Sequence, residues 1–161
     1  MHYLPIGGKI RSIDHSESSF ITLLNDYYGG DAYSLCEHYY EILSGIYEKT
    51  GCDVVAHFDL VTKYNEGEKI FDTQNPRYLA AANAALSELI KKPVIFEINT
   101  GAIARGYRTS PYPMKNFLDT IMENKKPTIL NSDCHNKDFL IESFDKYKHL
   151  ATLDRLPMRV K

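Results

Sequence analysis

The chain has 161 residues, 43% hydrophobic and 25% charged, an ordinary globular composition with length enough for one substantial core. Nineteen Lys and Arg against 21 Asp and Glu leave a formal charge of −2, so no global field draws the chain to nucleic acid or to anionic lipid. Apolar runs such as Val94-Ile95-Phe96 are far too short to span a bilayer, and Cys36, Cys52 and Cys134 show no CxxC spacing, which excludes a disulfide framework.

These features predict a soluble cytoplasmic protein with reduced thiols, with neither membrane nor nucleic acid as partner. Along the chain, residues 3–6 are a weak strand candidate. A helix is predicted over 16–24 from the N-cap Ser16 and from Glu17 beside it, and Asp31 caps a longer helix to about residue 49. Leu35, Tyr39, Ile42 and Ile46 share one face of that helix, and Gly51 ends it. Residues 52–57 read as a buried strand, followed over 63–73 by a polar loop expected to be functional. Asn75-Pro76 starts a helix that runs through 78–90 and stops at Lys91-Lys92-Pro93. Residues 94–98 form the next strand, and 100–113, with two Gly, two Pro and two Arg, a long loop. A helix over about 114–123, a strand over 128–131, a helix over about 137–147 and a weak strand over 151–153 complete the order. The alternation predicts an α/β fold of parallel strands joined by crossover helices.

In such folds functional side chains gather where strands end, because the loops there face one cleft. His57 ends one strand, Glu97 and Asn99 the next, and Asp133 and His135 follow the third, so three elements bring ligand-type side chains to one rim. In extended backbone Asp133 and His135 point to the same side while Cys134 points away, which suits a carboxylate and an imidazole sharing a divalent metal. His15, His38 and His149 belong to no motif, and packing or surface roles are expected for them.

Four segments resemble the PHP (polymerase and histidinol phosphatase) metallohydrolases, most closely their histidinol-phosphatase branch. They are Met1-His2-Tyr3, which looks like the tail of a Gly-Ser-Val-His-Tyr motif; Val55-Ala56-His57-Phe58-Asp59-Leu60; Phe96-Glu97-Ile98-Asn99-Thr100; and Asn131-Ser132-Asp133-Cys134-His135. The resemblance implies a distorted (β/α)7 barrel with divalent metal ions at the carboxyl-end face, cleaving a phosphate monoester such as L-histidinol phosphate. It implies His2, His57, Asp133 and His135 as metal ligands, with Asp133 and His57 also catalytic, and Glu97 and Asn99 as residues that orient the ligands. Arg105 falls where the family presents a phosphate-binding arginine, a role its planar fork suits, and Arg108 is the fallback. The implied chemistry is a metal-bound water activated for in-line attack on phosphorus.

The chain departs from the family pattern in lacking a His-x-His pair and the segments around it. It is therefore expected to be the carboxyl-terminal half of a PHP domain, a partial barrel with fewer than the family's three metals, Zn, Mn or Fe. Either a longer reading frame was truncated, or the half-barrel is genuine and a second copy covers its open edges as a homo-oligomer. The rival expectations are a non-catalytic metal-binding half-barrel that assembles as an oligomer, and a PHP module associated with a DNA polymerase.

Overall fold

A computed structural model describes residues 1–156. They divide into two compact units, one from Met1–Cys52 and Asp59–Lys92, the other from Asp53–Phe58 and the chain from Pro93 onward.

The first unit begins with β1 (Tyr3–Ile6) and β2 (Lys9–Ser12), paired antiparallel. Gly7 and Gly8 turn the chain at φ +58° and +72°, a two-residue hairpin turn that needs positive φ at both positions. The first strand was expected to belong to the parallel series, and the structure corrects this. Alternate residues Leu4 and Ile6 are buried while Tyr3 is exposed, so one face of the hairpin is covered. Next comes α1 (Glu17–Tyr28), where the Ser16 hydroxyl accepts from Ser19 N at 3.1 Å and Gly29 closes the helix in a left-handed conformation.

The helix predicted to run to residue 49 breaks at Gly45, into α2 (Ala32–Ser44) and α3 (Ile46–Thr50). Glycine lowers helix propensity by about 1 kcal/mol, which an exposed stretch with no buried residue in α3 does not recover. The other long helix, α4 (Pro76–Ile90), is capped by the Asn75 side chain as predicted. It packs against α2 with Tyr40 and Tyr78 fully buried and their hydroxyls 3.1 Å apart, while Ala82 and Ala85 bring the helices close. The predicted loop over 63–73 is ordered from within. Buried Asn65 accepts from Ile70 N and Phe71 N and donates to Phe71 O, satisfying three backbone groups with one amide.

The second unit carries a sheet of three parallel strands in the order β3 (Val54–Val55), β4 (Ile95–Asn99), β5 (Thr128–Asn131). All five residues of β4 are buried, as a central strand requires. The strand predicted over 52–57 shrinks to two residues because His57 adopts φ +33°, outside strand geometry. Within the predicted long loop lies a short helix, α5 (Gly101–Ala104), and α6 (Lys115–Glu123) follows near its expected bounds, burying Phe117, Leu118 and Ile121.

The helix expected over 137–147 is replaced by single turns over Lys137–Phe139 and Lys148–Leu150 around α7 (Phe144–Tyr147). Phe139, Leu140 and Ile141 are consecutive, so they form no helical stripe; Leu140 and Ile141 stay exposed, and Ser143 interrupts the chain at φ +63°. The weak terminal strand reduces to a single parallel bridge between Leu153 and Ile129, supported by Thr152 Oγ1 accepting from Thr128 N at 2.9 Å. The described residues thus hold a three-stranded parallel sheet and an antiparallel hairpin in a mixed α/β fold. No helix among them is long and apolar enough to cross a membrane.

Candidate functional site

Parallel strands deliver their carboxyl ends to one edge of the sheet, and the second unit places there His57 after β3, Glu97 and Asn99 at the end of β4, and Asn131, Asp133 and His135 at and beyond the end of β5. The register sets Asn99 opposite Asn131. Glu97 and Asn99, two residues apart, project to the same side of the strand.

Glu97 is the hub of this edge. One carboxylate oxygen accepts from His57 N at 2.8 Å and Asn99 Nδ2 at 3.0 Å, and the other accepts from Asn131 Nδ2 at 2.5 Å. The Nδ1 atom of His57 lies 3.3 Å from the first of these oxygens. Burial alone would push the Glu97 carboxyl up, but the bonds from His57, Asn99 and Asn131 outweigh it and hold the carboxyl below its ordinary value. Glu97 is therefore a buried anion satisfied by donors from all three strand ends.

Two asparagines carry this order outward. Asn99 Oδ1 accepts from Gly101 N at 2.9 Å, fixing the start of α5, and Asn131 Oδ1 accepts from Asp133 N at 3.3 Å, fixing the turn after β5. That turn is strained, with Asp133 at φ +45°. Arg105, at the end of α5, grips it twice: Nη1 donates to Asp133 O at 2.8 Å and Nη2 to Asp133 Oδ2 at 3.1 Å. Gly101 permits the approach, since a Cβ there would lie 2.5 Å from Ser132 O and 3.0 Å from Asp133 Cβ. The remaining Asp133 oxygen faces His135 Nε2 at 3.5 Å, and the imidazole itself is exposed. Gly101, Arg105, Tyr107, Asp133, His135 and Phe139 border an open cleft of about 460 Å³. Cys134 also borders it and donates its thiol to Asn136 O at 2.6 Å.

The other sequence-predicted residues lie elsewhere. In the first unit His2 Nδ1 donates to Asp14 Oδ2 at 2.8 Å, while Lys63 Nζ and Tyr64 Oη both donate to Asp14 O at 2.7 Å. Burial would raise the Asp14 carboxyl, but the His2 bond and the charges of His2 and Lys63 bring it down to about 2. Buried Arg108 donates to Ser110 O at 3.3 Å and stacks over the Tyr112 ring at 4.4 Å, so its guanidinium supports a loop. His38 pairs with Tyr28 Oη at 2.6 Å, a packing role, and His15 and His149 are exposed.

Asp133 and His135 are donors of the kind a divalent metal takes. Among the described residues, however, no group of three or more His, Cys, Asp or Glu side chains could hold a metal ion. A centre closed by three protein donors is therefore not formed by this arrangement. Two residues that matter here were not singled out in the sequence, Asn131 and Gly101. Asn131 opens the last of the four quoted segments, and Gly101 follows directly on the third, so adjacency to those segments was the available signal.

No family model matches the chain. A candidate histidinol-phosphatase of Schizosaccharomyces pombe is 26% identical over 107 residues, covering 62% of this chain and 31% of that protein. A solved structure from Listeria monocytogenes, hisK, a candidate histidinol phosphatase, superposes with a TM-score of 0.77 at 20% identity, covering 91% of this chain and 56% of the other. The chain thus shares its fold with part of the Listeria protein. It spans about a third of the length of the yeast relative and a little over half of the Listeria chain.

Proposed function

We propose that the cleft at the carboxyl end of the parallel sheet takes a phosphate monoester, and that the chain carries part of a phosphatase of the histidinol-phosphatase type. The substrate would be L-histidinol phosphate and the products L-histidinol and phosphate. The observation that supports this best is the guanidinium of Arg105 standing in the cleft beside the Asp133 carboxylate and the His135 imidazole. Similarity to two candidate histidinol phosphatases gives the ester its proposed identity.

The chemistry assigns each residue a task. Arg105 would pair with two phosphate oxygens through its planar fork. Asp133, as a carboxylate, would orient a water and take its proton as the water oxygen attacks phosphorus, and the ester oxygen would leave as the alcohol with a proton drawn from solvent. Glu97 would hold His57 through the main-chain and ring contacts, and Asn99 and Asn131 would fix the two turns that present Arg105 and Asp133. In the family resembled, divalent ions supply a water of lowered pKa. Here the described residues offer ligand-type side chains in pairs, such as Asp133 with His135 and His57 with Glu97, and in no group of three, so no step is assigned to an ion.

That two-donor arrangement also favours a second reading, a non-catalytic fragment that binds an anion or a single metal without turnover. Calorimetric titration of the full chain with L-histidinol phosphate tests the binding claim shared by both. The expected result is saturable binding, weakened at least tenfold in Arg105→Ala. Absence of binding to the unmodified chain would remove the phosphate reading, and equal affinity in the variant would remove Arg105 from it.

A further inference from the structure

The first unit carries a cavity of about 480 Å³ between β2 and α1. Arg11 is held at its border by two contacts. Its Nε donates to Ile6 O at 3.3 Å, and its guanidinium carbon lies 4.4 Å from the centroid of the Tyr27 ring, a cation–π stack. The ring itself rests against the hairpin turn, where a Cβ on Gly7 would lie 2.8 Å from Tyr27 Cε1, so glycine is what admits the aromatic. These contacts leave both Nη nitrogens of Arg11 without an acceptor among the described residues. His15 and Thr22 border the same cavity, and neither the imidazole nor the hydroxyl has a partner among the described residues. Ser18, one helical turn before Thr22, adds a hydroxyl 3.1 Å from Ser16 Oγ. Asp26, one turn beyond Thr22, brings a carboxylate to the border but forms no ion pair with Arg11.

A guanidinium with its Nη edge open pairs with two oxygens of one anion. A carboxylate would be used up by that fork, whereas a tetrahedral phosphate keeps further oxygens for the His15 ring and the Thr22 and Ser18 hydroxyls. We infer that this cavity binds the phosphate group of a small phosphorylated molecule, with Arg11 as the anchor and His15 and Thr22 as further donors. The Tyr27 stack fixes the guanidinium before the ligand arrives, so less side-chain freedom is lost on binding. The volume falls within the range of about 300–1,000 Å³ usual for small-molecule sites, which leaves room for the organic part of an ester. Asp26 acts in the opposite direction, because its charge opposes a nearby anion. The site does not rest on the phosphate reading of the Arg105 cleft: all its residues belong to the first unit, and Arg105 belongs to the second.

The test is proton NMR of the full chain during titration with ethyl phosphate at constant pH and ionic strength. It follows the C2–H signal of the His15 imidazole, identified by its disappearance in His15→Gln. The site predicts a saturable shift, with affinity weakened about tenfold or more in Arg11→Met and tightened about twofold or more in Asp26→Asn. Arg105→Ala should leave that affinity unchanged within about twofold. Methionine keeps apolar contact with Tyr27, and Asp26 is an exposed helix position, so both variants should keep the fold, which far-ultraviolet circular dichroism verifies. Their opposite effects on affinity are not mimicked by a general loss of structure. A shift that does not saturate, or an affinity unaffected by both Arg11→Met and Asp26→Asn, would overturn the site, and loss of the shift in Arg105→Ala would overturn its independence from the cleft. Acetate should bind about fivefold or more weakly than ethyl phosphate, and equal binding would overturn the assignment to phosphate. Association with phosphatidic acid vesicles that is lost in Arg11→Met, in a chain that does not bind ethyl phosphate, would overturn the assignment to a small molecule.

Discussion

Replacing Glu97 by glutamine should loosen the whole carboxyl edge of the sheet while changing almost nothing in shape. The carboxylate accepts from three donors, and a glutamine amide keeps one oxygen while presenting an NH₂ group where the second oxygen stood. If the oxygen stays with His57 N and Asn99, the NH₂ faces the Asn131 amide; in the flipped orientation two donors are lost. At least one hydrogen bond to a charged group disappears, worth about 1.5–3 kcal/mol, and a buried donor is left unpaired at a further cost of about 1–3 kcal/mol. The expected loss is about 3 kcal/mol. With a urea slope of about 2 kcal/mol/M, the unfolding midpoint should fall by about 1.5 M. The difference should also depend on pH. Because the folded carboxyl sits below its ordinary value, its contribution is complete above the unfolded value and is lost as pH falls through the folded one, so the gap between the two proteins closes on acidification. Urea titrations at neutral and acidic pH measure both effects. A midpoint shift under about 0.3 M at neutral pH would refute the view of Glu97 as the hub.

Gly101→Ala should destabilise by about 1–3 kcal/mol, because its Cβ would meet the Ser132 carbonyl and that backbone is tied down by β5; an unchanged melting temperature would contradict the close approach. Asp31→Ala removes the N-cap of α2 and should cost about 1 kcal/mol, lowering the melting temperature by about 2–4 °C, with the exposed pair to Arg77 adding little. Asp14 has a folded value of about 2 against an ordinary 3.8, so its stabilisation is complete above 3.8 and disappears as pH falls toward 2. Asp14→Asn should therefore flatten the acid limb of a stability profile between those values, and a limb as steep as that of the unmodified chain would show that the His2 and Lys63 contacts contribute nothing.

Elements set by local chemistry were legible in the sequence. Ser16, Asp31 and Asn75 cap the helices that their positions announced, and β4 reads directly as an apolar run. The hairpin was missed although Gly7-Gly8 between residues 3–6 and 9–12 is a recognised turn signal, because the alternation beyond it is weak. The segment over 137–150 misled through composition: it is rich in helix-compatible residues, but its apolar ones are adjacent rather than spaced by three and four. At the site, strand-end placement groups His57, Glu97, Asn99, Asp133 and His135, and in the structure these five lie in one unit of the fold while His2 lies in the other. What pattern alone could not supply was the partnering. The role of Glu97 depends on strand register, and the grip of Arg105 on Asp133 depends on a short helix that the loop composition concealed.

The most direct test of the proposed function is phosphate release from L-histidinol phosphate by the full purified chain, with and without added Mn²⁺ or Zn²⁺, beside Asp133→Asn. The account predicts turnover that is lost in an Asp133→Asn variant of intact fold, with Arg105→Ala raising KM more than it lowers kcat. Absence of turnover under every condition, or turnover unaffected by Asp133→Asn, would contradict it.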